Sequence, residues 1–290
     1  MNVHHRAPIG VFDSGLGGLS VVRQLWAELP RESIIYAADS SYCPYGERSD
    51  EQIRDRSLTM TDYLVQQGAK LVIAACNTAS AAAIDLLRER YDVPIVAMEP
   101  AVKPAVALTR TGRIAVLATP STARSTRLRD LIVRYGGGLD IRAIGVPGLA
   151  ERVERGDFDG PETRGLVTPH VAEQISDGVD VIVLGCTHYP FARAAIRAAA
   201  GPDARIIESG NAIARRARDI LMQLDLLAGL GPEPLFTMLT SGAPAIVAPT
   251  AERMLGRRIA VRSLDVPVIA WPTPVASHGS ATRLAQSGLP

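Results

Sequence analysis

A chain that sets short aliphatic runs one after another, each separated by a helix-length stretch, has few folds open to it. Here the runs cover residues 9–12, 33–37, 71–75, 94–97, 113–118, 139–144, 181–184 and 205–207. They do not alternate apolar with polar residues, so each reads as a strand covered on both faces, as in a parallel sheet. The stretches between them carry helix signals. Ser49 with Gln52 makes a capping box, Gly68 closes that helix, and Ser121, Pro161 and Gly178 mark later boundaries. The expected class is α/β, with doubly wound parallel sheets. Past residue 208 the pattern changes to one long helix over 211–227 and a strand over 236–239. The last 25 residues, rich in Pro, Ser, Ala and Thr, read as surface-draped or frayed.

A repeat lies beneath the alternation. The run 9–14 aligns with 114–119, and the cysteines Cys76 and Cys186, 110 residues apart, each end a strand run. A polar pair follows each thiol: Asn77 and Thr78 in the first half, Thr187 and His188 in the second. The halves meet near Met98, Glu99 and Pro100, and the pattern alone leaves open where residues 210–290 belong. In open α/β sheets ligands bind at the carboxyl ends of the strands, where both cysteines fall. A helix N-terminus there offers free N–H groups that bind carboxylates and favour thiolates. Free cysteine also packs as a small hydrophobe. Two thiols in matched contexts favour an acid/base pair on opposite sides of one substrate.

Other residues fit around that pair. Asp13 and Ser14 precede Gly15, Gly17 and Gly18 in a turn where the backbone can approach a ligand, although Asp13 could equally cap the helix. The spacing matches neither the dinucleotide fingerprint nor the Walker lysine motif, so no nucleotide cofactor is expected. Asp39 opens a polar loop through Tyr45 and Gly46, and Cys43 in it has no counterpart in the second half and reads as packing. His188, two residues after Cys186, is placed to tune that thiol's protonation. Cys76, Cys186 and His188 lack a short ligand pair, so no metal is expected.

Composition narrows the partners. A formal charge of +1 offers no general attraction for nucleic acid or an anionic membrane, and no apolar run nears the ~20 residues that span a bilayer. The first six residues lack the apolar stretch of a secretory leader. Three cysteines without a Cys-x-x-Cys pair suit a reducing cytoplasm, and no resolving cysteine stands near either thiol for a redox role.

The segments 9–18 (Ile-Gly-Val-Phe-Asp-Ser-Gly-Leu-Gly-Gly), 43–46 (Cys-Pro-Tyr-Gly), 75–79 (Ala-Cys-Asn-Thr-Ala), 99–104 (Glu-Pro-Ala-Val-Lys-Pro) and 184–190 (Leu-Gly-Cys-Thr-His-Tyr-Pro) together resemble the bacterial glutamate racemase family. The resemblance runs from about residue 9 to 255. It implies two pseudo-symmetric α/β domains with the active site in the cleft between them: residues 1–98 with a returning 210–290, and residues 99–209. It implies a cofactor-independent isomerase that interconverts L- and D-glutamate for peptidoglycan, and hence for cell shape, in a cytoplasmic homodimer. Cys76 and Cys186 would be the two bases, assisted by Asp13 and His188. Glutamate would be held by Asp13, Ser14, Tyr45, Gly46, Asn77, Thr78, Thr119, Thr122, Thr187 and His188. Asp39 and Glu154 match further acidic positions. The alternatives are an aspartate or hydantoin racemase with the same thiol pair, or a member that restrains DNA gyrase by protein contact. Ala38 and Ser40 depart from the family's Gly and Thr around Asp39, as Thr240 to Ala243 does from a Thr-Gly-Asp turn.

Overall fold

The computed structural model describes residues 3–267 and 269. In chain order the first part is β1 (Ile9–Asp13), α1 (Leu19–Glu28), β2 (Ile34–Ala38), α2 (Asp50–Gln66), β3 (Leu71–Ala74), α3 (Asn77–Arg90) and β4 (Ile95–Ala97). A linking helix α4 (Val102–Leu108) leads to β5 (Arg113–Ala118), α5 (Pro120–Arg124), α6 (Thr126–Gly136), β6 (Asp140–Gly145), α7 (Leu149–Glu154), α8 (Pro161–Ser176), β7 (Val181–Leu184), α9 (Arg193–Ala200) and β8 (Arg205–Glu208). The chain ends in α10 (Gly210–Gln223), β9 (Phe236–Thr240), α11 (Pro244–Leu255) and β10 (Val261–Ser263).

Two parallel sheets result. The first runs β10-β9-β2-β1-β3-β4 and the second β6-β5-β7-β8. The order β2-β1-β3-β4 in one is the order β6-β5-β7-β8 in the other, so β3 and β7 occupy equivalent places. Cys76 and Cys186 therefore leave equivalent strand ends. Every residue of β1, β3 and β7 is buried, as unalternating runs require. Burying each Val, Leu or Ile is worth about 1.5–3 kcal/mol, and one apolar cluster extends from Ile9 and Ile73 through Leu117 to Ile182 and Tyr189, joining the sheets.

The local signals act largely as expected. Ser49 Oγ accepts from the Gln52 N–H and Gln52 Oε1 accepts from the Ser49 N–H, both at 3.2 Å, closing the capping box of α2. Ser121 is not a boundary. Thr119 caps α5 through the Thr122 N–H, and Ser125 caps α6 through the Leu128 N–H, because each projects its hydroxyl back at a free donor. The long helix stops at Gln223, short of 227, and α11 and β10 add elements the pattern did not announce. The chain returns to the first sheet through β9 and β10. Of the final 25 residues all but 266, 267 and 269 lie outside the described part. Among the described residues no helix is long and apolar enough to cross a membrane.

Candidate active site

β1 ends at Asp13, which is fully buried. Its Oδ1 accepts from Ser14 Oγ at 3.0 Å and from the Gly15 N–H at 3.2 Å. Cys76 follows β3 and caps α3, its Sγ accepting from the Ala79 N–H at 3.5 Å. The same thiol donates to Ser14 Oγ at 3.8 Å, so a chain of hydrogen bonds runs Cys76 to Ser14 to Asp13. Asn77 is buried beside it, and its Oδ1 has no hydrogen-bond partner among the described residues. An acceptor left so costs about 1–3 kcal/mol, which a ligand's donor would recover.

The second sheet closes on this chain. Thr187 Oγ1 donates to Asp13 Oδ2 at 2.8 Å, so the buried carboxylate bridges the two halves. Cys186 Sγ lies 3.6 Å from His188 Nδ1, and His188 Nε2 lies 2.5 Å from Glu154 Oε1. That oxygen also accepts from the Leu16 N–H at 2.5 Å. Gly17 makes the approach feasible, because a Cβ there would sit 2.5 Å from His188 Nδ1. Alongside, Thr78 Oγ1 meets Thr119 Oγ1 at 3.2 Å and Thr122 Oγ1 at 3.1 Å, three hydroxyls drawn from both halves. Gly46 packs on Thr119, where a Cβ would come within 3.0 Å of the threonine Cβ.

Burial and charge set the protonation states. Burial pushes the Cys76 thiol up to about 12, and the Asp13 charge adds to it. Burial likewise raises the Asp13 carboxyl, with His188 opposing. For His188, burial works against the charged ring, but hydrogen bonds with Cys186, Cys43 and Glu154 outweigh it and hold the imidazolium well above its usual range. The resting site thus pairs a neutral Cys76 thiol on one side with a protonated histidine beside Cys186 on the other. That arrangement can supply a proton from one face of a small substrate while another is taken from the opposite face. The cavities that touch Asn77 and Cys186 hold only about 10–20 Å³, room for roughly one water. A larger cavity of about 530 Å³, lined by Arg88, Lys103 and Arg215, lies apart from the thiols, so the chemistry and not the volume identifies the site.

Three residues of the polar loop gain defined partners. Tyr45, which could bond a ligand or simply anchor the loop, donates its hydroxyl proton to Asp39 Oδ2 at 2.6 Å, the anchoring alternative. Asp39 in turn takes both Arg56 Nε and Nη2 at 2.8 Å, a buried pair that the sequence did not announce. Cys43, read as packing or a spectator, stands beside His188 and Glu154. Arg56 carried no local signal, since an arginine within a helix pattern ordinarily faces water.

The fold and the paired thiols define a class. Residues 9–217 match the Asp/Glu/Hydantoin racemase family, and the chain belongs to that family. Among curated relatives, the glutamate racemase of Pseudomonas paraeruginosa is 45% identical over 262 residues, covering 90% of this chain and 98% of that protein. Among solved structures, glutamate racemase isoform RacE1 from Bacillus anthracis superposes with a TM-score of 0.84 at 33% identity, covering 92% of this chain and 100% of that one. The glutamate racemase of Francisella tularensis, solved in complex with D-glutamate, gives 0.79 at 27% identity, with 89% and 97% covered.

Proposed function

We propose that the chain is a cofactor-independent glutamate racemase that works with two cysteine bases, Cys76 and Cys186. The observation that carries this reading is their placement: from equivalent strand ends Cys76 bonds into the buried chain Ser14–Asp13–Thr187, which spans both halves, and Cys186 adjoins its Thr187 end. Relatives at 43–48% identity are named glutamate racemases, which supports glutamate over aspartate or a hydantoin.

Racemisation removes the α-proton from one face and returns a proton to the other, which two bases achieve and one frustrates. In the L-to-D direction Cys186, as the thiolate facing the His188 imidazolium at 3.6 Å, takes the proton, and the neutral Cys76 thiol protonates the opposite face. The reverse direction exchanges the roles. Ser14 and Asp13 orient Cys76 through their hydrogen bonds, and Glu154 holds the His188 ring in place. The substrate carboxylate, on which charge develops, is held by the Thr78, Thr119 and Thr122 hydroxyls with the N–H groups opening α3 and α5. Asn77 Oδ1, otherwise unpartnered, accepts from the substrate ammonium. Ser14, Thr187 and the backbone of Tyr45 and Gly46 complete the enclosure, which excludes water.

The division expected from the sequence frames this site: residues 1–98 with 210–290 as one domain and 99–209 as the other. The family resemblance extends the reading to a cytoplasmic homodimer whose product enters peptidoglycan and so bears on cell shape; sedimentation of the purified chain tests the dimer. The decisive assay is optical rotation of D-glutamate with purified protein and no cofactor. Decay of rotation to zero is expected. Turnover of aspartate with none of glutamate would overturn the substrate.

A further inference from the structure

The mechanism leaves Cys43 unused, yet its position is not that of a packing residue. It opens the Cys43 to Gly46 turn of the first half, whereas Glu154 ends α7 and His188 follows β7 in the second. A thiol sulfur, a carboxylate oxygen and a ring nitrogen from the three all lie within 4.8 Å of one another. The His188 side chain is 2% exposed and that of Glu154 18% exposed, so the cluster is sheltered but not sealed. Gly15 covers it with bare backbone: a Cβ there would collide with Glu154 Oε1 and come within 2.8 Å of Cys43 Sγ. Thiolate, imidazole and carboxylate are the donor set of a borderline-soft divalent ion, which holds them at about 2.0–2.3 Å. Ligands at those lengths around a tetrahedral ion stand roughly 3.5 Å apart, so His188 Nε2 and Glu154 Oε1, 2.5 Å apart here, separate by about 1 Å to admit the ion.

We propose that Cys43, Glu154 and His188 form a binding site for zinc or a similar ion, and that occupancy switches the enzyme off. The ligand set differs from the Cys76, Cys186 and His188 combination that lacked metal spacing. Binding releases the Cys43 thiol proton and the imidazolium proton facing the ion, and leaves the metal in its +2 state with a fourth position for water. An ion there ties His188, the proton partner of Cys186, to Glu154 and to Cys43 across the cleft. The ring then no longer faces the Cys186 thiolate as an imidazolium and the halves no longer part. Inhibition by this route rests on the racemase reading; the site itself does not.

The test uses the full-length protein stripped with chelator and titrated with Co²⁺, then Zn²⁺. A near-ultraviolet thiolate-to-cobalt absorption that saturates at one ion per chain and is displaced by Zn²⁺ is expected. It should vanish in Cys43→Ser and persist in Cys186→Ser. Zinc should suppress glutamate racemisation reversibly in the wild type. In Cys43→Ser, compared with that variant's own metal-free rate because Cys43 is one of the partners of the His188 imidazolium, the inhibition constant rises more than about tenfold, the scale on which even outer-sphere partners matter. Absence of the cobalt band, its survival in Cys43→Ser or its loss in Cys186→Ser would overturn the site. Unchanged zinc inhibition in Cys43→Ser would overturn the switch. If the metal-free wild type does not turn over glutamate, the racemase reading fails and the cobalt spectra still decide the site.

Discussion

At the residue scale the account stands on two thiols that differ from a third. Replacing either Cys76 or Cys186 with serine, whose hydroxyl is a far weaker acid, should lower the racemisation rate by about 10²–10⁴-fold. Cys43→Ser should be mild by comparison, and equal losses in all three would defeat the assignment. Protonation gives a second handle. With its pKa pushed up to about 12, Cys76 is almost wholly thiol at neutral pH. Its thiolate fraction then grows about tenfold per pH unit right through pH 9. Iodoacetamide labelling of Cys76, followed by peptide mapping, should keep rising over that range; a plateau near pH 9, where an ordinary cysteine saturates, would contradict the burial argument. The strand-end placement of Asp13, Cys76, Cys186 and His188 was legible because each sits in a local pattern of strand, turn and helix start. Glu154 came only through the family resemblance and Cys43 drew no role, since what they touch comes from 34 and 145 positions away in the chain.

At the element scale one buried ion pair fixes the loop that carries Tyr45 and Gly46. Arg56, inside α2, bonds both oxygens of Asp39, lies 3.9 Å over the Tyr42 ring and donates to the Pro267 carbonyl at 3.0 Å. Arg56→Ala strips the charge partner from a fully buried carboxylate and should cost about 3–5 kcal/mol in a urea unfolding curve. A loss under ~1 kcal/mol, the scale of an exposed pair, would show that the pair is incidental. The strands of both sheet centres were legible within one or two residues because parallel strands must be apolar on both faces. β10 was not: Val261–Ser263 is short and mostly exposed, so it carries no burial signature. α11 was obscured by Pro249 within it.

At the scale of the whole molecule, the same four-strand order built twice places Cys76 and Cys186 at equivalent strand ends of the two sheets. The repeat of cysteine after strand was visible in the chain, and the recurrence of strand order explains it. That the C-terminal segment returns was implied only by the family resemblance, and its pairing of β9 with β2 was not visible, because a strand's neighbour is set by burial across the whole fold and not by its own residues. On the proposed reading glutamate reaches the thiols when the halves part, since the cavities beside Asn77 and Cys186 hold only about 10–20 Å³. Solution scattering should therefore give a smaller radius of gyration with D-glutamate than without; identical curves would contradict a moving cleft.

The central claim, one base on each face, is tested most directly by racemising L-glutamate in heavy water and stopping early. Mass spectrometry of the separated enantiomers then reads the α-position. Two bases predict that the D-glutamate formed carries deuterium while the remaining L-glutamate keeps its protium. Protium carried into the product, or early deuterium in the remaining substrate, would mean that a single group serves both faces, and the account would fall.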